Sequence, residues 1–284
     1  MRPCVATAAA SLRRVGCAAL LVAVIGGCGA HQRSPAGVRV IAVGREYAEL
    51  LSPSRGPVRG TMLLFHKGGW AAEGAAAVRA LRPMAERFRG SGWRALTSTY
   101  RQGQAGLADV LAAFDYAARR YGAAPICAYG ESSGGYWALI LAGKRPRLRC
   151  VIAAAAPTDL VAWPSQVRDR PTRAYVIRTL STVFGRSRAA LASASPVRAW
   201  RSGMRVRLFL FYADDDPLVP PAQGTAMQRR VRGSALFRLP PGGSPWVHSR
   251  PGRGHELDGV DAPALARDYR VIENVLRRLP TVRH

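Results

Sequence analysis

Ser132 stands in Gly130-Glu131-Ser132-Ser133-Gly134-Gly135, a G-x-S-x-G pattern with a further glycine behind it. The apolar run "PICAYG" (125–130) precedes it and reads as a short buried strand. "GGYWALILAGK" (134–144) follows and reads as a helix. A serine at such a strand-to-helix turn projects its hydroxyl from the strand tip, over the positive end of the helix. The flanking glycines leave room for the sharp turn. An ordinary Gly/Ser turn is the plainer alternative, but the strand before and the helix after favour a nucleophile. A serine hydroxyl needs a base within hydrogen-bond reach and a third group to orient that base.

Five histidines are available as the base. His31 is close to the N-terminus, His284 is the last residue, and His66 follows a predicted strand. His248 lies in "SPWVHSR". His255 lies in "GRGHEL", after the last predicted strand and before the last predicted helix, where a loop can return the imidazole to the serine. His255 is the candidate base, with His248 as the alternative. For the acid, "YADDDPLVPP" (212–221) follows a predicted strand and offers Asp214, Asp215 and Asp216. Asp216 begins D-P-L-V-P, where proline fixes the turn after it, so it is preferred over Asp214 and Asp215. The order along the chain is then Ser, Asp, His.

An acyl-transfer site also needs N–H donors aimed at the developing oxyanion. "LFHKGGW" (64–70) closes a predicted strand, and its two glycines let the backbone turn N–H groups inward. Gly68 and Gly69, with the N–H of Ser133, are the candidate donors. Lys67 beside them has two readings. Its ammonium points to solvent, or it overhangs the pocket and favours anionic substrates.

The elements that must position these residues alternate along the chain. Strands are expected at 38–44, 46–51, 60–66, 93–100, 125–130, 149–156, 206–212 and 235–240. Helices are expected at 76–90, 106–122, 134–144, 221–233 and 261–279, from their apolar spacing and their Gly stops. Residues 157–204 differ, with helical pieces broken by Pro and Gly that suggest a cap-like insertion. Strand–helix alternation implies an α/β domain with a mostly parallel central sheet and helices on both faces. In such sheets the chemistry collects at the carboxyl ends of the strands.

Together these residues resemble the α/β-hydrolase superfamily over about residues 38–280. The pairing of "HKGGW" (66–70) with "GESSGG" (130–135) resembles the esterase branch that contains hormone-sensitive lipase. "STYRQG" (98–103) is similar to that branch's Asp-Tyr-Arg segment, with Thr99 in place of the acid, and Lys67 replaces a glycine of the branch. The resemblance implies a serine hydrolase acting on small-molecule or lipid carboxylic esters through Ser132, His255 and Asp216. "GESSGG" also suits the catalytic domain of prolyl-oligopeptidase-like enzymes, so a peptidase or amidase is the alternative. A non-catalytic scaffold that keeps the fold is a third reading. No metal or organic cofactor is implied: Cys127 and Cys150 lack metal-ligand spacing, and there is no phosphate loop.

Composition narrows the partners. The chain has 42 Lys+Arg against 17 Asp+Glu, a formal net charge of +25. The basic residues are nearly all arginine, scattered without blocks, and no zinc-finger, RNP or basic-zipper pattern accompanies them, so nucleic acid is not an expected partner. At the N-terminus, Arg2, Arg13 and Arg14 precede the apolar "CAALLVAVI" (17–25), which has signal-peptide length. "IGGC" (25–28) resembles a bacterial lipobox, which makes 1–27 a signal peptide and Cys28 a lipidated N-terminus. Residues 28–37 then form a tether and 38–284 the hydrolase domain. Export to the cell envelope with a lipid anchor in the membrane is expected, a secreted soluble form being the alternative. After cleavage Cys127 and Cys150 remain in the domain, either bridged, as an oxidising compartment permits, or as two buried thiols.

Overall fold

The protein is described here from a computed structural model, which describes residues 37–201 and 203–239 and, beyond them, positions 270, 273, 274, 276 and 277. Eight strands make one sheet in the order β1-β2-β4-β3-β5-β6-β7-β8. β1 (Val38–Val43) and β2 (Glu46–Leu51) form an antiparallel hairpin, and β2 pairs antiparallel with β4 (Trp93–Ser98). β3 (Gly60–Phe65), β5 (Ile126–Glu131), β6 (Leu148–Ala154), β7 (Arg207–Ala213) and β8 (Ala235–Leu239) continue in parallel. This is the α/β-hydrolase fold.

Every residue of β3 and β5 is buried. Successive side chains on a strand point to opposite faces, so both faces of the sheet centre are covered. The covering helices are α1 (Gly74–Ala80), α2 (Arg82–Gly90), α3 (Gly106–Tyr121), α4 (Ser133–Lys144) and, after the insertion, α9 (Ala222–Arg230). α4 is buried from Ser133 to Ala142, which explains its nearly continuous apolar sequence. The single helix expected over 76–90 is two helices that meet at Leu81. Pro83, in the first turn of α2, has no N–H for the carbonyl four residues back, and its ring crowds that carbonyl.

The insertion between β6 and β7 is helical. It contains α5 (Trp163–Gln166), α6 (Arg170–Phe184), α7 (Arg188–Ala194) and α8 (Pro196–Ala199). Asp169 caps α6 by accepting the Thr172 N–H, and Ser187 caps α7 by accepting the Ala190 N–H. The helix expected over 261–279 is described at five positions, all helical. Its Leu276 is buried and its carbonyl accepts a bond from Arg59. Among the described residues no helix is long and apolar enough to cross a membrane.

Candidate active site

Ser132 joins β5 directly to α4 with φ 49° and ψ −118°. A non-glycine residue held at positive φ costs on the order of 1–3 kcal/mol and persists only where its surroundings force it. Two glycines show what forces it here. A Cβ on Gly130 would collide with the Gly134 carbonyl, and a Cβ on Gly134 would collide with the Phe65 carbonyl at the end of β3. The strand, the turn and the next strand therefore touch backbone to backbone. The Ser132 N–H donates to the Ala154 carbonyl (2.9 Å), and the Ser132 carbonyl accepts the Tyr136 N–H (2.9 Å). Ser133 follows as the first residue of α4, where backbone N–H groups have no intrahelical partner.

The loop after β3 carries the other candidate donors. Gly68, Gly69 and Trp70 have φ 127°, 62° and 64° in succession, and the Gly68 carbonyl accepts the Ala71 N–H (3.0 Å). Trp70 is fixed despite its strained φ. It is buried, with Tyr136 and Phe184 edge-on at 5.2 and 5.1 Å between ring centres. Phe184 belongs to α6, and a Cβ on Gly69 would come within 3.2 Å of the hydroxyl of Tyr175 on the same helix. The insertion thus lies against the loop that holds Gly68 and Gly69.

His66 is buried, and its ring lies flat on Tyr100 with centres 4.0 Å apart. Its Nδ1 is 2.6 Å from the Lys67 carbonyl. A carbonyl only accepts, so Nδ1 carries the proton. Burial lowers the pKa of the ring to about 4, the bond to Lys67 opposing it, so the ring is neutral at physiological pH. Lys67 itself is half-buried, and its ammonium favours the ionised forms of Glu131 and Glu73. Burial raises the pKa of both carboxyls, and Lys67 opposes that rise. Glu131, next to Ser132, also accepts the Tyr129 hydroxyl (2.8 Å). Acidic groups therefore already face the Lys67 charge.

The three aspartates after β7 separate by environment. Asp214 is exposed and paired with Arg238, and Asp215 is exposed. Asp216 is 5% exposed. Its Oδ1 accepts the N–H groups of Leu218 (2.9 Å) and Val219 (3.0 Å), while Oδ2 is buried with no partner among the described residues. Burial pushes its pKa up to about 7, the two backbone N–H bonds opposing the shift and Asp215 adding to it. β6 alone separates β5 from β7. The Ser132 and Asp216 turns therefore stand at the carboxyl ends of strands about 10 Å apart.

Cys127 and Cys150 are register partners on β5 and β6, joined by a disulfide with Cα atoms 4.7 Å apart. They lie near the amino ends of their strands, away from Ser132. His255 and His248, the two candidate bases, and Cys28 lie outside the described residues. The sequence reading overlooked Tyr100, Glu131 and Glu73 as parts of the site. The signal was faint: Tyr100 follows the polar run Thr97-Ser98-Thr99, Glu131 ends a strand beside the elbow serine, and Glu73 sits in a short loop.

The prolyl oligopeptidase family model matches residues 70–260, two thirds of the chain. That span includes Ser132, Asp216 and His255 and begins just after Gly69. No curated protein sequence matches the chain. Among solved structures, Thermogutta terrifontis esterase 2 phosphonylated by sarin is similar, with a TM-score of 0.64 at 18% identity, covering 87% of this chain and 96% of that one. Carboxyl esterase 2 from the mycorrhizal fungus Tuber melanosporum gives a TM-score of 0.64 at 16% identity, covering 86% of each chain. A truncated carbohydrate esterase from gut microbiota gives 0.62 at 15%, covering 82% and 91%. At these identities the structures speak for the fold. The family match reaches further: the chain is a serine hydrolase and belongs to the prolyl oligopeptidase family.

Proposed function

We propose that the protein hydrolyses carboxylic esters through Ser132, His255 and Asp216. Ser132 attacks the ester carbonyl. His255 takes the serine proton and returns it to the leaving alcohol. Asp216 holds the imidazole in one tautomer and stabilises its cation. The N–H groups of Gly68, Gly69 and Ser133 hold the oxyanion, and water then repeats the cycle on the acyl-enzyme. The observation that carries this reading is Asp216. One of its oxygens is saturated by backbone, and the other is buried without a partner among the described residues, two strands from a strained serine. A buried carboxylate oxygen is costly unless something pairs with it, and a ring N–H is a suitable group.

The ester preference rests on the resemblance of "HKGGW" to the hormone-sensitive-lipase branch, in which Lys67 replaces a glycine, and on the esterase names of the similar structures. The family match favours the second reading, cleavage of peptide or amide bonds. We also place the mature chain outside the cytoplasm, anchored by lipid on Cys28. The Cys127–Cys150 disulfide suits an oxidising compartment. Equal labelling of wild type and Cys28→Ala by a fatty-acid analogue would exclude the anchor.

The deciding experiment assays p-nitrophenyl esters and peptide p-nitroanilides side by side, with Ser132→Ala and His255→Ala as controls. Ester turnover should dominate and fall by about 10⁴-fold or more in each variant, without additivity in the double variant. Turnover surviving in Ser132→Ala would overturn the mechanism. Faster amide than ester cleavage would move the enzyme to the second reading.

A further inference from the structure

We propose that Tyr100 is a positioning residue, whose hydroxyl ties the His66–Gly69 turn to the first residue of α4. It would thereby hold donors from two separate elements at a fixed spacing. The inference deepens the reading above and rests on it, since it concerns the same Gly68, Gly69 and Ser133 N–H groups.

Tyr100 is 1% exposed and follows β4, which is next to β3 in the sheet, while β3 is next to β5. Its hydroxyl is 2.8 Å from the His66 carbonyl and 3.3 Å from Ser133 Oγ. Proton counting fixes the direction of this chain. The carbonyl can only accept, so Tyr100 gives it the single phenolic proton. Ser133 must then donate to the Tyr100 oxygen. Burial raises the Tyr100 pKa far above any working pH, against the Ser133 bond that lowers it, so the donor is always present. Hydrogen bonds in such a chain reinforce one another.

The ring of Tyr100 acts on the same turn a second way. It carries the His66 imidazole flat on its face, 4.0 Å away, and that imidazole donates to the Lys67 carbonyl at 2.6 Å. A trans peptide unit is planar, with its C=O and N–H pointing in opposite directions. Fixing the Lys67 carbonyl therefore aims the Gly68 N–H away from His66. Tyr100 thus holds two consecutive peptide units of the loop, one through its hydroxyl and one through the stacked ring. Through Ser133 it also reaches the elbow. A plainer role, satisfying one buried carbonyl, predicts a stability effect alone.

Tyr100→Phe keeps the ring and its stacking and removes only the hydroxyl. With a neutral ester, kcat should fall about tenfold, less than the roughly 10²–10³ lost when a donor is deleted outright. KM should stay within about twofold, and Ki for a trifluoromethyl ketone, which mimics the oxyanion, should rise by the same factor as kcat falls. Ser133→Ala cuts the other end of the chain and should do the same. The double variant should lose no more than the worse single variant, because both break one connection. Unchanged kcat and Ki in a folded Tyr100→Phe protein, or additive losses, would overturn the tie. If Tyr100→Phe does not fold, the same measurements on Ser133→Ala decide. A Ser132→Ala protein that still turns over ester would sink the underlying mechanism as well. A dead Ser132→Ala beside an unaffected Tyr100→Phe would sink the tie alone.

Discussion

The two ends of β5 are built on opposite principles. At its amino end, Cys127 faces Cys150 in register, both fully buried and covalently joined in an apolar setting. At its carboxyl end, five residues span a buried carboxyl at Glu131, a strained backbone at Ser132 and two glycines, Gly130 and Gly134, with no space for a side chain. One end is what a stable sheet would choose, and the other is what stability alone would remove. Strain and buried carboxyls survive where the surrounding packing over-determines them. The difference between the ends can be tested by relieving or adding load at each.

The largest effect is expected across the sheet from the elbow, at Asp216. Asp216→Asn keeps an oxygen for the Leu218 and Val219 N–H groups, and should lower kcat about 10⁴-fold through the wrong imidazole tautomer. Stability should move the other way. The native pKa, about 7, lies above the ordinary 3.8, so the unfolded chain loses its proton first as pH rises. The contribution of Asp216 to wild-type stability therefore falls between pH 4 and 7 by up to about 4 kcal/mol, less if an imidazolium sits beside Oδ2. The asparagine variant should escape this loss and melt higher than wild type at pH 8. A variant that is both inactive and less stable at pH 8 would contradict the assignment of a desolvated charge.

Gly134→Ala tests the crowded end next. Its Cβ would meet the Phe65 carbonyl, which belongs to the sheet and cannot yield. Destabilisation of about 3 kcal/mol or more is expected in chemical denaturation, with activity lost in the fraction that folds. A silent substitution would mean the elbow is looser than its geometry.

The fastened end should respond differently. Cys127→Ala with Cys150→Ala opens a bridge between residues 23 apart, worth about 3 kcal/mol in the chain-entropy model. Melting should fall while kcat on the ester stays near wild type. A parallel loss of kcat would show that strain at Ser132 depends on the bridge, which would sharpen the comparison into a coupling.

The smallest effect is a pH slope at His66. Its native pKa, about 4, lies below 6.5, so the folded state binds fewer protons than the unfolded chain. The associated stability is complete above pH 6.5 and is lost as pH falls toward 4, about 3 kcal/mol in all. Asp216 slopes the opposite way over the same interval, and the raised carboxyls of Glu131 and Glu73 slope with it, so the His66 slope is masked in the wild type. Asp216→Asn should uncover a steep acid limb, and His66→Asn should uncover the reverse. A flat profile in both variants would remove the two groups from the pH account.

Much of this architecture was legible because it is local. Apolar runs of strand length alternating with amphipathic segments imply a parallel sheet covered on both faces. Gly130, Ser132 and Gly134 mark the elbow because only glycine permits the backbone contacts that the turn makes. The break at Leu81 was hidden by an apolar period that runs through both α1 and α2, although Pro83 was there to be read. Tertiary structure decided what depends on burial or on distant partners. The proline after Asp216 already favoured it over Asp214 and Asp215, but its burial and its two backbone N–H bonds belong to the fold. Cys127 and Cys150 needed the strand register to meet. Tyr100 needed a sheet that carries it to a carbonyl 34 residues earlier and a hydroxyl 33 residues later. Desolvation and long-range hydrogen bonds arise only when separate segments are packed together, so no window of the sequence contains them.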